Sequence, residues 1–365
     1  MDVALGRPAR TLNMVELGRV LNQVSDPPVK ALFVYNSNPA AVCPNHDEVV
    51  RGLTRPDLFT VVHEQFFTDT TDYADIVLPA TTFFEHKDLQ KAYGHYYLQV
   101  SNQAIQPLGE CRSNVDVFRA LAQRMGFTEE CFSQTVDQMI DLALESDDPW
   151  MDGMTRERLE SGHARLELRP GHTAQASEFG SGQPGGAVPT NSVVDPLPFL
   201  PFAHGGFRTP SGKAEFYCES LKALGLDPVA EFTPPSESRH RKKDLPLELL
   251  ARKADNFLNT TFSNLPSVQE METPGLLELS MPDARARGIA DGDRVRVHNQ
   301  RGEIELTAKV DGRVQPGVVS AKLNWAKMTP GFQSINSLTS EKLTDMGNSA
   351  TFYSVLVEVE KITGS

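Results

Sequence analysis

Cysteine is scarce in this sequence of 365 residues, and its four cysteines lie far apart, at Cys43, Cys111, Cys131 and Cys218. They form no C-x-x-C pair, the close spacing that zinc and iron–sulfur sites usually need. The nine histidines are scattered too, without a metal-ligand spacing. No Ser–His–Asp order and no Cys–His nucleophile occurs. We therefore predict reduced, mostly buried thiols, no metal site and no catalytic residue in this chain.

Positive charge and long apolar runs are also lacking. The chain has 35 Lys and Arg against 48 Asp and Glu, a formal net charge of −13, which argues against a general nucleic-acid binder. A single phosphorylated small molecule stays compatible, because it needs only a local site. No apolar run has the length of a membrane span, and the first residues lack the apolar core of a signal peptide. We expect no membrane span and a cytoplasmic location, with a periplasmic location of a longer parent protein as the alternative.

Three short apolar runs, at residues 31–35, 59–63 and 76–78, stand out in the first eighty residues. They are typical of parallel strands covered on both faces, with a helix over 46–53 between the first two. Ligands of such sheets bind outside the carboxyl ends of the strands. The polar residues at those ends are Asn36, Ser37, Asn38 and Pro39 after the first run, and His63 with Glu64 at the second. The alternatives are a plain turn, a packed histidine and a solvated carboxylate.

Two stretches separate this region from the end of the chain. Residues 170–200 are rich in Gly, Pro and Ser, and we predict a flexible surface excursion there. Residues 234–243, PPSESRHRKK, have proline and charge without an apolar period, which indicates a linker. Between the two, a hairpin is predicted over 207–217, turning at Ser211-Gly212.

After the linker the pattern changes to β-strands. Segments 245–250, 276–279, 294–298, 303–310, 318–323 and 353–359 are rich in Val, Ile and Leu and are separated by turns. About six closely spaced strands of this kind are typical of a small closed barrel. A polar row follows the first strand and consists of Arg252, Lys253, Asn256, Asn259 and Thr260. Two cations with amide and hydroxyl donors suit a pyrophosphate, and a solvated loop is the alternative.

Taken together, these stretches resemble the C-terminal part of a molybdopterin oxidoreductase of the dimethyl sulfoxide reductase family. The motifs that support the resemblance are TDTTDYADIVLPATTFFE at 68–85, YGHYYLQVSNQAIQPLGECRSN at 93–114, TPSGKAEFY at 209–217, MPDARARGIADGDRVRVHNQRGEI at 281–304 and NSLTSEKLTDMGNSATFYSVLVEVE at 336–360. The resemblance implies an α/β plus β protein. Residues 1–235 would be the second half of a doubly wound parallel-sheet domain, 236–244 a linker and 245–365 a six-stranded double-psi β-barrel.

The same resemblance implies molybdopterin guanine dinucleotide as the cofactor, with molybdenum or tungsten in the full-length parent. The implied activity is two-electron redox chemistry on a small substrate. By position the resemblance adds Asn114, Asn324, Asn336 and Tyr353 to the cofactor-binding candidates. Asn114 stands where the family often has Asp, and Tyr353 stands where a lysine is common.

The family's N-terminal cysteine cluster and its metal-ligating segment have no counterpart in this sequence. We therefore expect an incomplete fragment that is inactive alone. Its partners would be the cofactor and a missing N-terminal region or companion subunit, in which the family allows an iron–sulfur cluster. We also expect weak binding of guanine nucleotides by the fragment and self-association through exposed apolar surface. The alternatives are a scaffold subunit that has lost the cofactor and a non-redox hydratase that uses it.

Overall fold

The computed structural model describes residues 8–166, 168, 202, 205–241, 245–323 and 325–363. Its contacts divide the chain into two units, Met1–Ala80 with Thr233–Ser365, and Thr81–Phe232. The excursion predicted at 170–200 and the candidate Asn324 lie outside the described residues. The first of these units combines residues from both sides of the domain boundaries predicted at 235 and 245. Those boundaries stay a prediction.

The first unit begins with a parallel sheet. Its strands β1 (Ala31–Tyr35), β2 (Phe59–Glu64) and β3 (Ile76–Pro79) lie side by side in that order. His63 pairs with both Tyr35 and Leu78, so the three strands end at one edge, which we call the carboxyl edge. The predicted parallel sheet is confirmed, but the cover expected on both of its faces is not, because Tyr35, Phe59, Ile76 and Val77 are exposed.

Two helices of this unit pack closely because each contributes a glycine. A Cβ on Gly18 of helix Leu17–Gln23 would lie 2.7 Å from the nearest atom of helix His46–Leu53, and one on Gly52 would lie 2.5 Å from the first helix. Any larger residue would force the backbones apart. A short helix, Pro39–Val42, and two 3-10 helices, Met14–Glu16 and Thr70–Tyr73, complete this part. The core beneath consists of Leu21, Ala40, Cys43, Val49, Leu53 and Leu58.

The second unit has an antiparallel sheet of β4 (Asp88–Lys91), β5 (Tyr97–Ser101) and β6 (Ala164–Arg165). Its helices are Asn114–Met125, Val136–Leu144, Arg156–Glu160 and Glu219–Ala223, with 3-10 helices at Glu130–Phe132 and Pro149–Met151. Helix Val136–Leu144 begins after Thr135, which forms a capping box with Gln138.

The hairpin predicted over 207–217 is wrong. The described residues form a turn in which the Gly212 N–H donates to the Thr209 carbonyl oxygen at 3.0 Å, and none of them belongs to a strand. Polar side chains bind the backbone locally, since the Ser211 N–H donates to Glu215 at 3.0 Å. Such local bonds replace the ladder that a hairpin would need.

The barrel consists of β7 (Leu247–Lys253), β8 (Leu276–Leu279), β9 (Arg294–His298), β10 (Glu303–Lys309), β11 (Val318–Leu323) and β12 (Leu356–Lys361). It closes in the order β10-β8-β11-β7-β12-β9. The pairs β7–β11 and β8–β10 are parallel and the others antiparallel. The double-psi β-barrel implied by the resemblance is confirmed. Helices Pro266–Met271 and Met281–Ala286 and 3-10 helices Ala326–Met328, Pro330–Phe332 and Ile335–Ser337 lie between its strands.

Alternate strand residues point inward and form one apolar core, because side chains of a strand alternate between its two faces. Its buried members are Leu247, Leu249, Ala251, Leu277, Leu279, Ala284, Ile289, Val295, Val297, Ile304, Leu306, Ala308, Val319, Ala321, Ile335, Leu338, Val355, Val357 and Val359. None of the helices in the described part of the chain is long and apolar enough to cross a bilayer.

Part of the predicted linker is packed on the barrel. Glu237 and Ser238 are both buried. Arg301 donates two hydrogen bonds to Glu237, each of 2.8 Å, and the Ser238 hydroxyl donates to Glu248 at 3.2 Å. Residues 237–238 therefore contribute to the structure of the barrel instead of acting as a solvated spacer.

Candidate functional site

The carboxyl edge begins with a left-handed residue that ends β1. Asn36 is exposed with φ at +47°, a conformation that asparagine tolerates better than most residues. Its N–H donates to the His63 carbonyl oxygen at 3.1 Å. This turn leaves the side chains of Asn36 and Ser37 at the rim of the sheet.

Asn38 has a different role, because its side chain connects two loops of the edge. It is buried, and its Nδ2 donates to Asp69 at 3.1 Å. Its Oδ1 accepts from the Thr70 N–H at 3.1 Å and from the Thr70 hydroxyl at 2.8 Å. Pro39 then opens the helix Pro39–Val42. The Asn38 amide therefore fixes the shape of the edge.

His63 and Glu64 both have perturbed pKa values. His63 is fully buried, and its Nδ1 lies 3.2 Å from the Leu78 carbonyl oxygen. A carbonyl only accepts, so Nδ1 holds the proton and Nε2, which has no partner among the described residues, is left as an acceptor. Burial lowers the pKa of His63, although the hydrogen bond to the Leu78 carbonyl acts in the opposite direction. Burial raises the pKa of Glu64 against hydrogen bonds from the amides of Gln65 and Ser37.

A lysine from the barrel side completes this edge. The Lys327 N–H donates to Asp69 at 3.2 Å, and its ammonium donates to the Thr68 carbonyl oxygen at 3.0 Å and to Asp72 at 2.9 Å. Burial raises the pKa of Asp69, against the opposing effects of Asn38 and Lys327. Perturbed carboxyls at the end of a parallel sheet are typical of functional sites.

Asn336 brings the barrel to the same place. It is fully buried in the 3-10 helix Ile335–Ser337, and its Nδ2 donates to the Ala41 carbonyl oxygen at 2.8 Å. The Ala41 N–H in turn donates to the Asn38 carbonyl oxygen at 3.1 Å. The structure thus joins Asn336 to the helix that begins at Pro39, although almost three hundred residues separate them.

The polar row after β7 is bound to the barrel itself. Arg252 donates to the Ser320 hydroxyl at 3.0 Å and to Glu278 at 2.8 Å. The Asn256 N–H and Nδ2 donate to one oxygen of Glu272 at 2.6 and 2.9 Å. These bonds stay within the barrel and do not reach the carboxyl edge. Lys253 and Asn259 are exposed, and Thr260 is half-buried.

The remaining candidates lie elsewhere. Tyr353 is exposed and precedes β12, which begins at Leu356. Asn114 is the first residue of a helix in the second unit, and the cap of that helix is Ser113, whose hydroxyl accepts from the Asp116 N–H at 3.2 Å. The described residues contain no group of three or more His, Cys, Asp or Glu arranged to hold a metal ion.

Sequence reasoning missed Lys327 and Trp325 at the carboxyl edge, and Glu272 beside the polar row of the barrel. Trp325 packs its ring edge-on against Phe66, with centroids 5.9 Å apart. Its buried Nε1 has no partner among the described residues. The sole signal for it was the rarity of tryptophan, which occurs only twice in the chain. The ion pairs of Lys327 and Glu272 depend on folding and have no local pattern.

The fold is that of an α/β plus β protein, in which a parallel sheet with a polar carboxyl edge and a double-psi barrel belong to one packed unit. Two family models match the chain, "Molybdopterin oxidoreductase" over residues 7–124 and "Molydopterin dinucleotide binding domain" over residues 247–356. The chain belongs to the molybdopterin oxidoreductases of the dimethyl sulfoxide reductase family.

Individual relatives agree with this assignment. A probable oxidoreductase, YoaE, of Bacillus subtilis is 38% identical over 99% of this chain and 48% of its own length. A dimethyl sulfoxide/trimethylamine N-oxide reductase of Rhodobacter capsulatus is 29% identical over 93% of this chain and 42% of its own. The structure of acetylene hydratase from Pelobacter acetylenicus matches with a TM-score of 0.74 and 22% identity, covering 97% of this chain and 47% of that one. The chain spans less than half the length of each of these proteins.

Proposed function

We propose that this chain is the C-terminal, cofactor-binding part of a molybdenum or tungsten oxidoreductase that uses a pair of molybdopterin guanine dinucleotides. Its residues would bind and orient the cofactor for two-electron chemistry on a small substrate. The observation that supports this most directly is the contact, inside one packed unit, between the carboxyl edge and the barrel. Asn336 and Lys327 form that contact with Ala41 and Asp69.

The groups at the carboxyl edge fit the nucleotide end of such a cofactor. Guanine and ribose present neutral donors and acceptors, and the edge offers the same chemistry. His63 Nε2 and Trp325 Nε1 are buried without a partner among the described residues, and burial favours the protonated form of Glu64. Asn36 and Ser37 at the rim, with Asn38 and Pro39 shaping it, would complete this half of the site.

The barrel residues fit the charged part. Lys253, Asn259 and Thr260 would meet the pyrophosphate, on a loop that Arg252 and Asn256 hold. Asn114, Asn324, Asn336 and Tyr353 stay proposed contacts on the basis of the family resemblance. When bound, the metal–pterin group supplies the redox chemistry, and the chain supplies binding and orientation.

The substrate class proposed for the whole protein follows its relatives. Reductases of dimethyl sulfoxide and trimethylamine N-oxide are among them, so we propose reduction of a small S- or N-oxide. A further region or companion subunit, with or without an iron–sulfur cluster, would provide the metal ligand, and we propose a cytoplasmic location. The likeness to acetylene hydratase concerns the fold alone, so hydration ranks second.

The test uses the whole protein that contains this chain, purified without oxygen. Molybdenum and tungsten are measured by mass spectrometry, oxidised pterin by fluorescence and guanine nucleotide after acid hydrolysis. We expect one metal with a pair of guanine nucleotides, and oxidation of reduced viologen by dimethyl sulfoxide or trimethylamine N-oxide. A protein without metal and pterin would be the scaffold subunit. A loaded protein that hydrates an alkyne and oxidises no viologen would be the hydratase.

A further inference from the structure

The hairpin of the second unit has a cleft whose residues have no role in the proposed cofactor site. The cleft lies where β4 and β5 are joined, and its volume is about 270 Å³. Cavities that hold drug-sized ligands measure about 300–1,000 Å³, so this cleft suits a smaller molecule and excludes a dinucleotide. The polar and aromatic residues that line it are Gln90, Lys91, His95, Tyr97, Gln99 and His163.

The register of the sheet places the two glutamines on the face that points away from the apolar core. Gln90 lies directly opposite Gln99, whereas Leu89, Leu98 and Val100 pack in the core on the other face. Side chains directly opposite each other in an antiparallel pair have Cβ atoms about 4.5–5.5 Å apart. The two amides are therefore neighbours, and neither has a hydrogen-bond partner among the described residues.

Tyr97 lies between two imidazoles. Its ring contacts those of His95 and His163 edge-on, with centroids 5.6 and 5.1 Å apart, an arrangement that aromatic rings favour. The Tyr97 N–H also donates to Nδ1 of His95 at 3.2 Å. Because Nδ1 is the acceptor in this bond, the ring proton of His95 is on Nε2, which is left as a donor.

The lining of the cleft offers donors and one positive charge. Lys91 is exposed and forms no ion pair with any of the described residues. No Asp or Glu among the described residues lines the cleft, although the chain has 48 acidic and 35 basic residues. The charged neighbours on the outer sheet face, Asp88 and Arg165, have opposite signs and offset each other. Such a set of donors matches an acceptor oxygen that carries negative charge.

We propose that this cleft binds a small molecule through a negatively charged or strongly polarised oxygen. Lys91, Gln99 and His95 would donate to that oxygen, and the Tyr97 ring would contact the apolar part of the ligand. Two kinds of molecule share this chemistry, namely oxyanions and the S- or N-oxides of the proposed function. Only the assignment to these oxides rests on the proposed function, because the cleft contains none of the proposed cofactor-binding residues.

The experiment measures how accessible the two histidines are in the whole protein that contains this chain. Diethyl pyrocarbonate acylates accessible imidazoles, and peptide mass spectrometry gives the rate for each one. His240 is the internal control, because it is exposed and lies outside the cleft. The ligands are trimethylamine N-oxide, dimethyl sulfoxide and nitrate. Their controls are trimethylamine, which lacks the oxygen, and chloride at equal ionic strength.

Two substitutions test the donors. Lys91→Met and Gln99→Leu each remove a donor at nearly constant size. Their matched controls are Lys213→Met and Gln123→Leu, which change exposed residues of the same unit outside the cleft. Circular dichroism checks the fold of each variant.

At a ligand concentration about ten times its Kd, acylation of His95 and His163 should slow about tenfold, because the fraction of empty clefts falls by that factor. The rate at His240 should not change. Lys91→Met and Gln99→Leu should raise the half-protecting concentration about tenfold, the effect of one lost hydrogen bond to a charged group. Protection by nitrate alone would assign oxyanions as the ligands, and protection by the oxides alone would assign the substrates.

The proposal is overturned if none of the three oxygen ligands protects the two histidines, or if trimethylamine protects them equally well. Equal half-protecting concentrations in the cleft variants and their controls would also overturn it. A whole protein without metal and pterin would refute the proposed function, whereas protection of its cleft by nitrate would still support the binding site.

Discussion

Removing the Arg301 guanidinium should destabilise the first unit more than removing any exposed cation of the barrel. Arg301 donates two 2.8 Å hydrogen bonds to Glu237, whose side chain is 4% exposed, and its Nε donates to the Leu338 carbonyl oxygen at 2.8 Å. The substitution Arg301→Met keeps most of the apolar stem and deletes these donors. The Glu237 carboxylate would then be buried without a counter-charge.

The magnitude follows from that burial. Breaking a buried pair by removing one partner costs about 3–5 kcal/mol, because the remaining charge is desolvated without compensation. The Leu338 carbonyl adds little, since Asn299 also donates to it at 2.9 Å. Arg296 is the control, because its partners Glu303 and Glu360 are 62% and 51% exposed. Arg296→Met should cost only about 0–1 kcal/mol.

Urea unfolding measures both values. The chain has two tryptophans, so a Trp150→Phe background leaves Trp325 to report on the first unit alone. The double variant Glu237→Gln, Arg301→Met should be more stable than Arg301→Met, because the uncompensated charge is gone. If Arg301→Met costs less than about 1 kcal/mol, or if Glu237→Gln restores nothing, the carboxylate is not desolvated as described.

Three further predictions concern packing, pH and association. Gly302→Ala should lower the free energy of unfolding by about 1–3 kcal/mol through overpacking, since the new Cβ would lie 3.0 Å from the Ser337 carbonyl oxygen. The control is Gly162→Ala, because the space around Gly162 is open. Equal effects of the two substitutions would refute the reasoning. The pKa of His63 is lower in the folded chain than the ordinary value of 6.5, so on acidification the unfolded chain takes up this proton first. The stabilisation that this difference provides above pH 6.5 is therefore lost as the pH falls from 6.5 towards the folded pKa. The difference in unfolding free energy between wild type and His63→Gln, measured from pH 8 to 5.5, should show this loss, and a difference constant with pH would count against a buried neutral imidazole. Ile76, on an outer strand of the sheet, is 44% exposed, so Ile76→Lys should reduce self-association of the isolated chain in sedimentation, whereas a wild-type monomer would contradict the expected association.

The strands of the barrel were the most predictable part of the chain. Residues 276–279, 294–298 and 318–323 have the same bounds in the structure as in the sequence pattern. Their periodicity follows from the pleat, which sends alternate side chains to the core and to the solvent. The hairpin predicted at 207–217 does not form, because side chains there hydrogen-bond to the backbone within a single turn.

The candidate residues divide in the same way. Position at the end of a predicted strand correctly places Asn36, His63 and Glu64 at the carboxyl edge, because the order of residues along the chain determines where each strand ends. It does not separate Arg252 from Lys253, because that difference arises from carboxylates that folding brings to one of them. Nor does it indicate Glu237, which resembles a solvated linker residue until Arg301 is packed against it.

The sequence by itself determined the parallel sheet, the closed barrel and the family, because strand periodicity and the order of the motifs can be recognised from residues that are close together in the chain. The tertiary structure alone decided which polar groups are free for a ligand and which are used internally. Lys327 and Asp69 are 258 residues apart, and Arg301 and Glu237 are 64 apart. Pairs so distant acquire their burial and their partners only when the chain folds, so no local pattern contains them.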